Sequence, residues 1–250
     1  MLLEDEFGDI IKKAQAGLNF SSQELARVTT ISIKEIEQLK LYKQPTQAQV
    51  NSLAEYLRLD SKKLSNIAFR KWHPIQKEHK DIIRIQQDFQ GSKTNNYLII
   101  NNNGCIIIDS TGSEAIFNEI RKRALKPSAV LITHLHKDHT AELDKIQSRY
   151  RCKIYQEQED SEIEIGKFKI TVMKTPGHTL NHNCYLYKNY CFTGDLLFAG
   201  SIGNSNEVQY LTHLATIKKK ILSLPESTLI FPGHGPTTSV KEELINNPFF

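Results

Sequence analysis

Residues 130–140 read Val130-Leu131-Ile132-Thr133-His134-Leu135-His136-Lys137-Asp138-His139-Thr140. An apolar run, typical of a buried strand, ends in a compact cluster of histidines with one aspartate. Imidazole nitrogens and carboxylate oxygens are ligands that borderline divalent ions such as Zn²⁺ accept. Because alternate residues at a strand end point the same way, we expect His134 and His136 to converge on one ion. Asp138 and His139 are expected to turn onto a second position.

Three short turns downstream supply more ligands of the same kind, each after an apolar run. They are Thr175-Pro176-Gly177-His178-Thr179, Phe192-Thr193-Gly194-Asp195 and Phe231-Pro232-Gly233-His234-Gly235-Pro236. Each turn alone is typical of ordinary loop structure. Together with the first cluster they give the order HxHxDH, PGH, TGD, PGH, which indicates one shared metal centre.

This order of motifs resembles that of the metallo-β-lactamase superfamily, over roughly residues 82 to 250. The resemblance implies an α/β fold, the αββα sandwich. It also implies a centre with two divalent metal ions, which we expect to be Zn²⁺, with Fe or Mn as alternatives. It places His134, His136 and His178 on one ion. It places Asp138, His139 and His234 on the other, with Asp195 bridging both. Asp138 and Asp195 are also the expected catalytic residues.

Further residues are similar to the type II glyoxalases, or hydroxyacylglutathione hydrolases. The stretch Leu196-Leu197-Phe198-Ala199-Gly200-Ser201-Ile202-Gly203 resembles the segment after their bridging aspartate. A departure occurs at Asn204-Ser205-Asn206, where relatives commonly carry an arginine and an aspartate. The resemblance implies hydrolysis of a small-molecule thioester.

The same residues are also compatible with other functions. A mononuclear-iron persulfide dioxygenase uses a similar motif string, with iron on the residues matching His134, His178 and Asp195. A DNA-binding sensor could use the α/β part to bind a metabolite instead of transforming it. Lactone, β-lactam or phosphodiester hydrolysis could also run on these metals.

Residues 1–68 are predicted to form a separate all-α domain, since their apolar positions follow helical spacing. The order resembles the lambda-repressor-like helix-turn-helix family, carried by Ser21-Ser22-Gln23-Glu24-Leu25-Ala26 and the later Leu53-Ala54. Thr30 stands where that family usually has a turn glycine. The recognition helix would present Lys34, Gln38 and Lys40 to a DNA groove. Basic and acidic residues balance here, so DNA binding and protein contact both remain open.

Residues 69–80 are predicted to be a polar linker, and residues 81–250 the metallo-β-lactamase-like hydrolase domain. The formal net charge of +4 is mild and does not demand a nucleic-acid partner. Cys105, Cys152, Cys184 and Cys191 form no CxxC pair, which favours a reducing compartment. No secretory signal or membrane-spanning run is visible, so we expect a cytoplasmic protein without membrane contact. Oligomerisation is left open.

Overall fold

The computed structural model describes residues 2–41 and 43–250. The first part of the chain forms five helices, α1 (Phe7–Gly17), α2 (Ser22–Thr29), α3 (Ile33–Lys40), α4 (Gln47–Tyr56) and α5 (Ser61–Ala68). A segment with little regular structure then leads to the first strand, which begins at Ile82.

The remaining chain alternates strands and helices. The strands are β1 (Ile82–Phe89), β2 (Ser92–Asn101), β3 (Gly104–Ile108), β4 (Lys126–Leu131), β5 (Lys153–Tyr155), β6 (Ser161–Ile165), β7 (Phe168–Lys174), β8 (Asn183–Tyr187), β9 (Tyr190–Gly194), β10 (Leu197–Phe198), β11 (Ser201–Ile202), β12 (Leu229–Pro232) and β13 (Thr238–Ser239). The helices are α6 (Ser113–Lys122), α7 (Lys137–Thr140), α8 (Leu143–Tyr150), α9 (Glu207–Thr216), which continues as a π-helical turn over Ile217–Ile221, and α10 (Val240–Asn246).

The longer strands build two sheets. One has the order β1-β2-β3-β4-β5 and the other the order β13-β12-β9-β8-β7-β6, while β10 and β11 form a separate hairpin. Asn101 pairs with Gly104 across the β2–β3 turn, and Asn102 there has φ +56°. Asn101-Asn102-Asn103-Gly104 therefore forms the turn of a β-hairpin.

The side chains of the first sheet point alternately to its two faces, and each face packs in its own apolar layer. Tyr97, Ile99 and Leu131 face the second sheet and pack against its Tyr185 and Phe192. The intervening residues of the same strands, among them Leu98, Ile107 and Val130, pack under α6 and α8. Since neighbouring residues of a strand point to opposite faces, one strand serves both layers. Helices thus cover the outer faces of the paired sheets, which confirms the predicted αββα sandwich.

The N-terminal helices begin at residues whose side chains satisfy free backbone N–H groups. The hydroxyls of Ser21, Ser32 and Thr46 accept from the N–H groups three residues later. Such caps typically contribute about 1 kcal/mol each. Thr30 ends α2 in the left-handed conformation, with φ +58°. A residue with a side chain therefore adopts here the conformation that glycine usually takes.

The apolar core is continuous between the N-terminal helices and the second sheet. Ile10 and Ile11 of α1 belong to the same buried cluster as Cys184, Cys191 and Ile230 of that sheet. Main-chain contact continues at the C-terminus, where the N–H of Asp60 donates to the carbonyl of Pro248 at 2.8 Å. The division at residues 68 and 80 into separate domains remains a prediction. In the described chain, no helix is long and apolar enough to cross a membrane.

One carboxylate that supports the fold is fully buried. Glu243 of α10 accepts hydrogen bonds from the Gly200 N–H at 3.0 Å, the Thr238 hydroxyl at 2.7 Å and the Asn247 amide at 2.8 Å. These bonds hold the loop after β10 against the C-terminal helix. Burial raises the pKa of Glu243 to about 7, although these hydrogen bonds oppose the shift.

We therefore expect Glu243 to make stability depend on pH. Its folded-state pKa lies above the ordinary 4.5, so the folded protein binds the proton more tightly than the unfolded chain. Its contribution is fully present below pH 4.5 and is lost as pH rises through about 7. The loss is on the order of 3 kcal/mol. Urea unfolding at several pH values, for the wild type and Glu243→Gln, measures it. Parallel pH profiles of the two proteins would contradict the expectation.

Candidate metal centre

The residues expected to bind metal come from four loops at one edge of the sandwich. β4 leads through Ile132 and Thr133 to His134, and α7 begins directly after His136. That short helix places Asp138 and His139 on the same side as the strand end. The other three loops, which follow β7, β9 and β12, bring His178, Asp195 and His234.

The structure brings all seven predicted residues together, in two groups. One group is His134, His136 and His178, and the other is Asp138, His139, Asp195 and His234. Within each group the ligand atoms lie within 4.8 Å of one another. His136 Nδ1 lies 3.1 Å from His134 Nε2 and 2.9 Å from His178 Nε2. The grouping matches the division that the resemblance implies.

Asp195 lies between the two groups. Its Oδ1 is 3.2 Å from His139 Nε2, and its Oδ2 is 3.5 Å from His234 Nε2. The same Oδ2 is 3.9 Å from His178 Nε2, which belongs to the first group. The other carboxylate, Asp138, lies 3.3 Å from His234 Nε2. Asp195 is therefore the carboxylate that borders both groups.

Hydrogen bonds on the far side of the rings fix which nitrogen faces the centre. The Nδ1 of His139 donates to Asp109 Oδ2 at 2.8 Å. The Nδ1 of His178 donates to the Asn204 carbonyl at 2.6 Å, and that of His234 to the Lys93 carbonyl at 2.9 Å. Because these oxygens only accept, each Nδ1 carries a proton, and each Nε2 is the atom that faces the centre and would bind a metal ion.

The donor set fits metal ions. His139 Nε2 and Asp195 Oδ1 are buried and have no hydrogen-bond partner among the described residues. Buried polar atoms are rarely left without a partner, and a bound cation would satisfy both of these. Nitrogen and carboxylate oxygen in this number suit borderline divalent ions.

The electrostatics agree with that fit. Burial lowers the pKa of His134 well below its ordinary value and also lowers that of His178, so both rings are neutral, as metal ligands must be. Burial opposes charge on Asp195, but His139 and His234 hold its pKa well below the ordinary range. For His139 the carboxylates of Asp195 and Asp109 outweigh burial and raise its pKa. A metal ion bound by the second group would displace the proton that this raised pKa keeps on His139.

The sequence analysis did not identify Asp109, whose carboxylate orients the His139 ring. Its carboxylate is buried, holds His139, and accepts from the Thr133 N–H at 2.9 Å. Asp109 follows the apolar strand β3 and has φ +59°. A carboxylate directly after a buried strand was the available signal. His182 is also buried beside the centre and stacks on His134, with ring centroids 5.2 Å apart.

Close packing around the loops explains their glycines. A Cβ at Gly194 would lie 2.6 Å from Thr133 Oγ1, and the residue has φ +47°. A Cβ at Gly233 would overlap Asp195 Oδ1 and lie 2.6 Å from His139 Cε1. The glycines before Asp195 and His234 thus allow two loops to meet at the centre.

The model of the metallo-beta-lactamase superfamily matches residues 90–170 and 156–234, which include the whole centre. The chain belongs to this superfamily. It is 31% identical over 194 residues to the probable metallo-hydrolase YqgX of Bacillus subtilis, covering 63% of this chain and 92% of that protein.

Solved structures of the superfamily share the fold. The BLEG-1 B3 metallo-beta-lactamase is 28% identical with a TM-score of 0.63, covering 67% of this chain and 99% of that one. TTHA1623, solved in a di-iron-bound form, is 25% identical with a TM-score of 0.59, covering 66% and 100%. The superfamily prediction is confirmed, and the similarity to a probable metallo-hydrolase supports the coarser prediction of a metal-dependent hydrolase. The glyoxalase-like subtype and the helix-turn-helix identity remain predictions.

Proposed function

We propose that the chain is a two-metal hydrolase of thioesters of the hydroxyacylglutathione type. The observation that carries the proposal is the complete donor set in two groups, with Asp195 between them. Such a pair of ions supplies Lewis acidity toward a carbonyl and a nucleophile from water at neutral pH. We assign His134, His136 and His178 to one ion. The second would be held by Asp138, His139 and His234.

The protein's own groups complete the reaction. Water adds oxygen to the acyl carbon, the C–S bond breaks, and the products are a carboxylic acid and a thiol. Asp138 is the more exposed of the two site carboxylates, at 28% against 10% for Asp195. We assign to Asp138 the proton that the attacking water loses. A thiol, with a pKa of about 8.5, leaves readily without a strong general acid.

The glyoxalase-like stretch 196–203 supports the thioester class. This stretch begins directly after Asp195 and packs beside the metal centre. Leu196 and Leu197 lie in the core beside the centre. The Leu196 carbonyl accepts a hydrogen bond from His213 Nε2 at 2.7 Å. Asn204, where the sequence departs from the relatives, contributes its backbone carbonyl to His178. A side chain is therefore not needed for this contact.

Metal content separates this proposal from its rivals. We expect about two equivalents of zinc, or of zinc with iron or manganese, per chain purified without added metal or chelator. Elemental analysis measures this. One equivalent of iron alone would instead favour the persulfide dioxygenase, with the iron on His134, His178 and Asp195. Little metal after reconstitution would favour the metabolite sensor.

The reaction class needs a matched set of substrates. We expect a lactoyl thioester to be hydrolysed faster than the corresponding oxygen ester and a β-lactam, once each rate is divided by its rate in buffer. Equal acceleration of all three would contradict a thioesterase.

DNA binding through α3 stays a prediction. Lys34 is exposed, but the Lys40 side chain is only 12% exposed and binds Glu37 at 3.0 Å and Ser22 at 2.9 Å. Contact of Lys40 with a phosphate would require both interactions to break.

A further inference from the structure

The N-terminal segment forms one wall of the cavity above the metal centre. This cavity has a volume of about 380 Å³, within the range of small-molecule sites. Its lining combines candidate ligands with residues from the start of the chain. From the centre and its loops come Ser92, Asp138, Asp195, Phe198, Asn204 and His234, and from the N-terminus Glu4, Asp5, Asp9, Lys12 and Lys13.

Buried contacts hold this segment in place. Lys13 of α1 binds Asp5 at 2.5 Å and the Ile202 carbonyl at 2.7 Å, and its ammonium lies 4.9 Å from the centre of the Phe198 ring. The side chains of Lys13 and Asp5 are only 9% and 8% exposed. Glu4 packs so closely on the loop of His234 that a Cβ at Gly235 would lie 2.9 Å from Glu4 Cβ. The wall is therefore part of the folded site.

The carboxylates of this wall differ in how they are held. Asp5 is paired with Lys13, and Asp9 is paired with Lys12 at 3.1 Å. Among residues 2–41 and 43–250, no group donates a hydrogen bond to the Glu4 carboxylate. Its closest basic neighbour is His234, whose Nδ1 lies 3.9 Å away and already donates to the Lys93 carbonyl.

The Glu4 side chain is 28% exposed, so the carboxylate remains accessible from the cavity. A carboxylate that accepts no hydrogen bond, held beside a reaction centre, is a receptor for a cation with hydrogen-bond donors. We propose that Glu4 is a specificity-determining residue that binds an ammonium group of the substrate. This inference rests on the proposed function for the scissile bond, and adds that the thioester is cationic.

The test compares substrates that differ only in the ammonium group, using the metal-loaded full chain. One pair is the alanyl and propanoyl thioesters of N-acetylcysteamine, with the charge on the acyl side. The other is 4-aminobutyl thioacetate and pentyl thioacetate, with the charge on the thiol side. For at least one pair, we expect Glu4→Gln to lower kcat/KM of the cationic member about tenfold. The neutral member should change less than twofold.

Glu6→Gln is the matched control, because Glu6 lies in the same segment but pairs with Arg70 at 2.9 Å, away from this cavity. It should leave both ratios unchanged. If Glu4→Gln changes kcat/KM equally for the cationic and neutral members of both pairs, or changes neither, Glu4 does not bind the ammonium group.

A binding measurement separates this inference from the proposed function. We expect calorimetry to show that the wild type binds L-alaninamide more tightly than propanamide, and that Glu4→Gln removes the difference. If no thioester is hydrolysed but this preference is found, the proposed reaction fails while the ammonium site stands. Equal binding of the two amides by the wild type would overturn the ammonium site.

Discussion

Replacing Asp195 with alanine is expected to lower thioester kcat/KM on the order of 10³-fold, the scale of losing a principal electrostatic group in an active site. Asp195 is the carboxylate that reaches histidines of both groups, at 3.2 Å from His139 and 3.9 Å from His178. Its removal weakens both metal positions at once. We therefore expect metal content to fall together with activity, as elemental analysis and steady-state kinetics would measure.

The fold should survive this substitution. His139 keeps its hydrogen bond to Asp109 at 2.8 Å, and the backbone turn at Asp195 is held by the Leu196 N–H, which donates to the Thr193 carbonyl at 3.0 Å. Circular dichroism should match the wild type. Asp144→Ala, at an exposed aspartate of α8, is the control and should retain full activity. Full activity and full metal content in Asp195→Ala would refute the two-metal scheme.

The candidate ligands could be predicted from sequence because each is coupled to a local signal. His134 and His136 follow an apolar strand, while His178 and His234 each follow a proline and a glycine. Strand ends and tight turns are encoded by neighbouring residues. The order of the motifs then indicated that separate loops meet, which no single motif could show.

Groups that act across long sequence distances could not be predicted in this way. Asp109 lies 30 residues before His139, and only the parallel pairing of β3 with β4 brings the two together. Glu4 lies still farther from His234, and its position depends on how α1 packs against the sandwich. Apolar spacing predicted that the first 68 residues are helical, but it could not predict which surface they cover.

The N-terminal helices share the apolar core of the sandwich and contribute residues to its cavity. A module that only tethers the enzyme to a partner would need no residues in the cavity of the sandwich. Here Lys13 joins α1 to the β10–β11 hairpin, and Glu4 lies against the loop that carries His234. The proposed role of Glu4 in substrate selection rests on this placement, whether or not α3 also contacts DNA or protein.

Gly233→Ala is expected to have an effect nearly as large as the loss of Asp195, although it removes no ligand. The added methyl group would overlap Asp195 Oδ1 and lie 2.6 Å from His139 Cε1. Both neighbours are buried, and Asp109 holds His139 through its Nδ1, so the interior cannot yield without displacing a ligand. We expect kcat/KM to fall about 100-fold or more, since displacements near 1 Å cost that much in a preorganised site.

The cause of that loss can be separated from general destabilisation. Gly104→Ala is the control, because a Cβ there would meet its nearest atoms at 3.5 Å, an ordinary contact, and it lies on β3 away from the ligands. We expect Gly233→Ala to lose metal affinity in competition with a chelator, while Gly104→Ala keeps it. Since the methyl group presses on Asp195 and His139, the second position should empty first, leaving about one equivalent per chain. Two firmly bound equivalents with normal turnover would show that the loops of Asp195 and His234 do not meet as described.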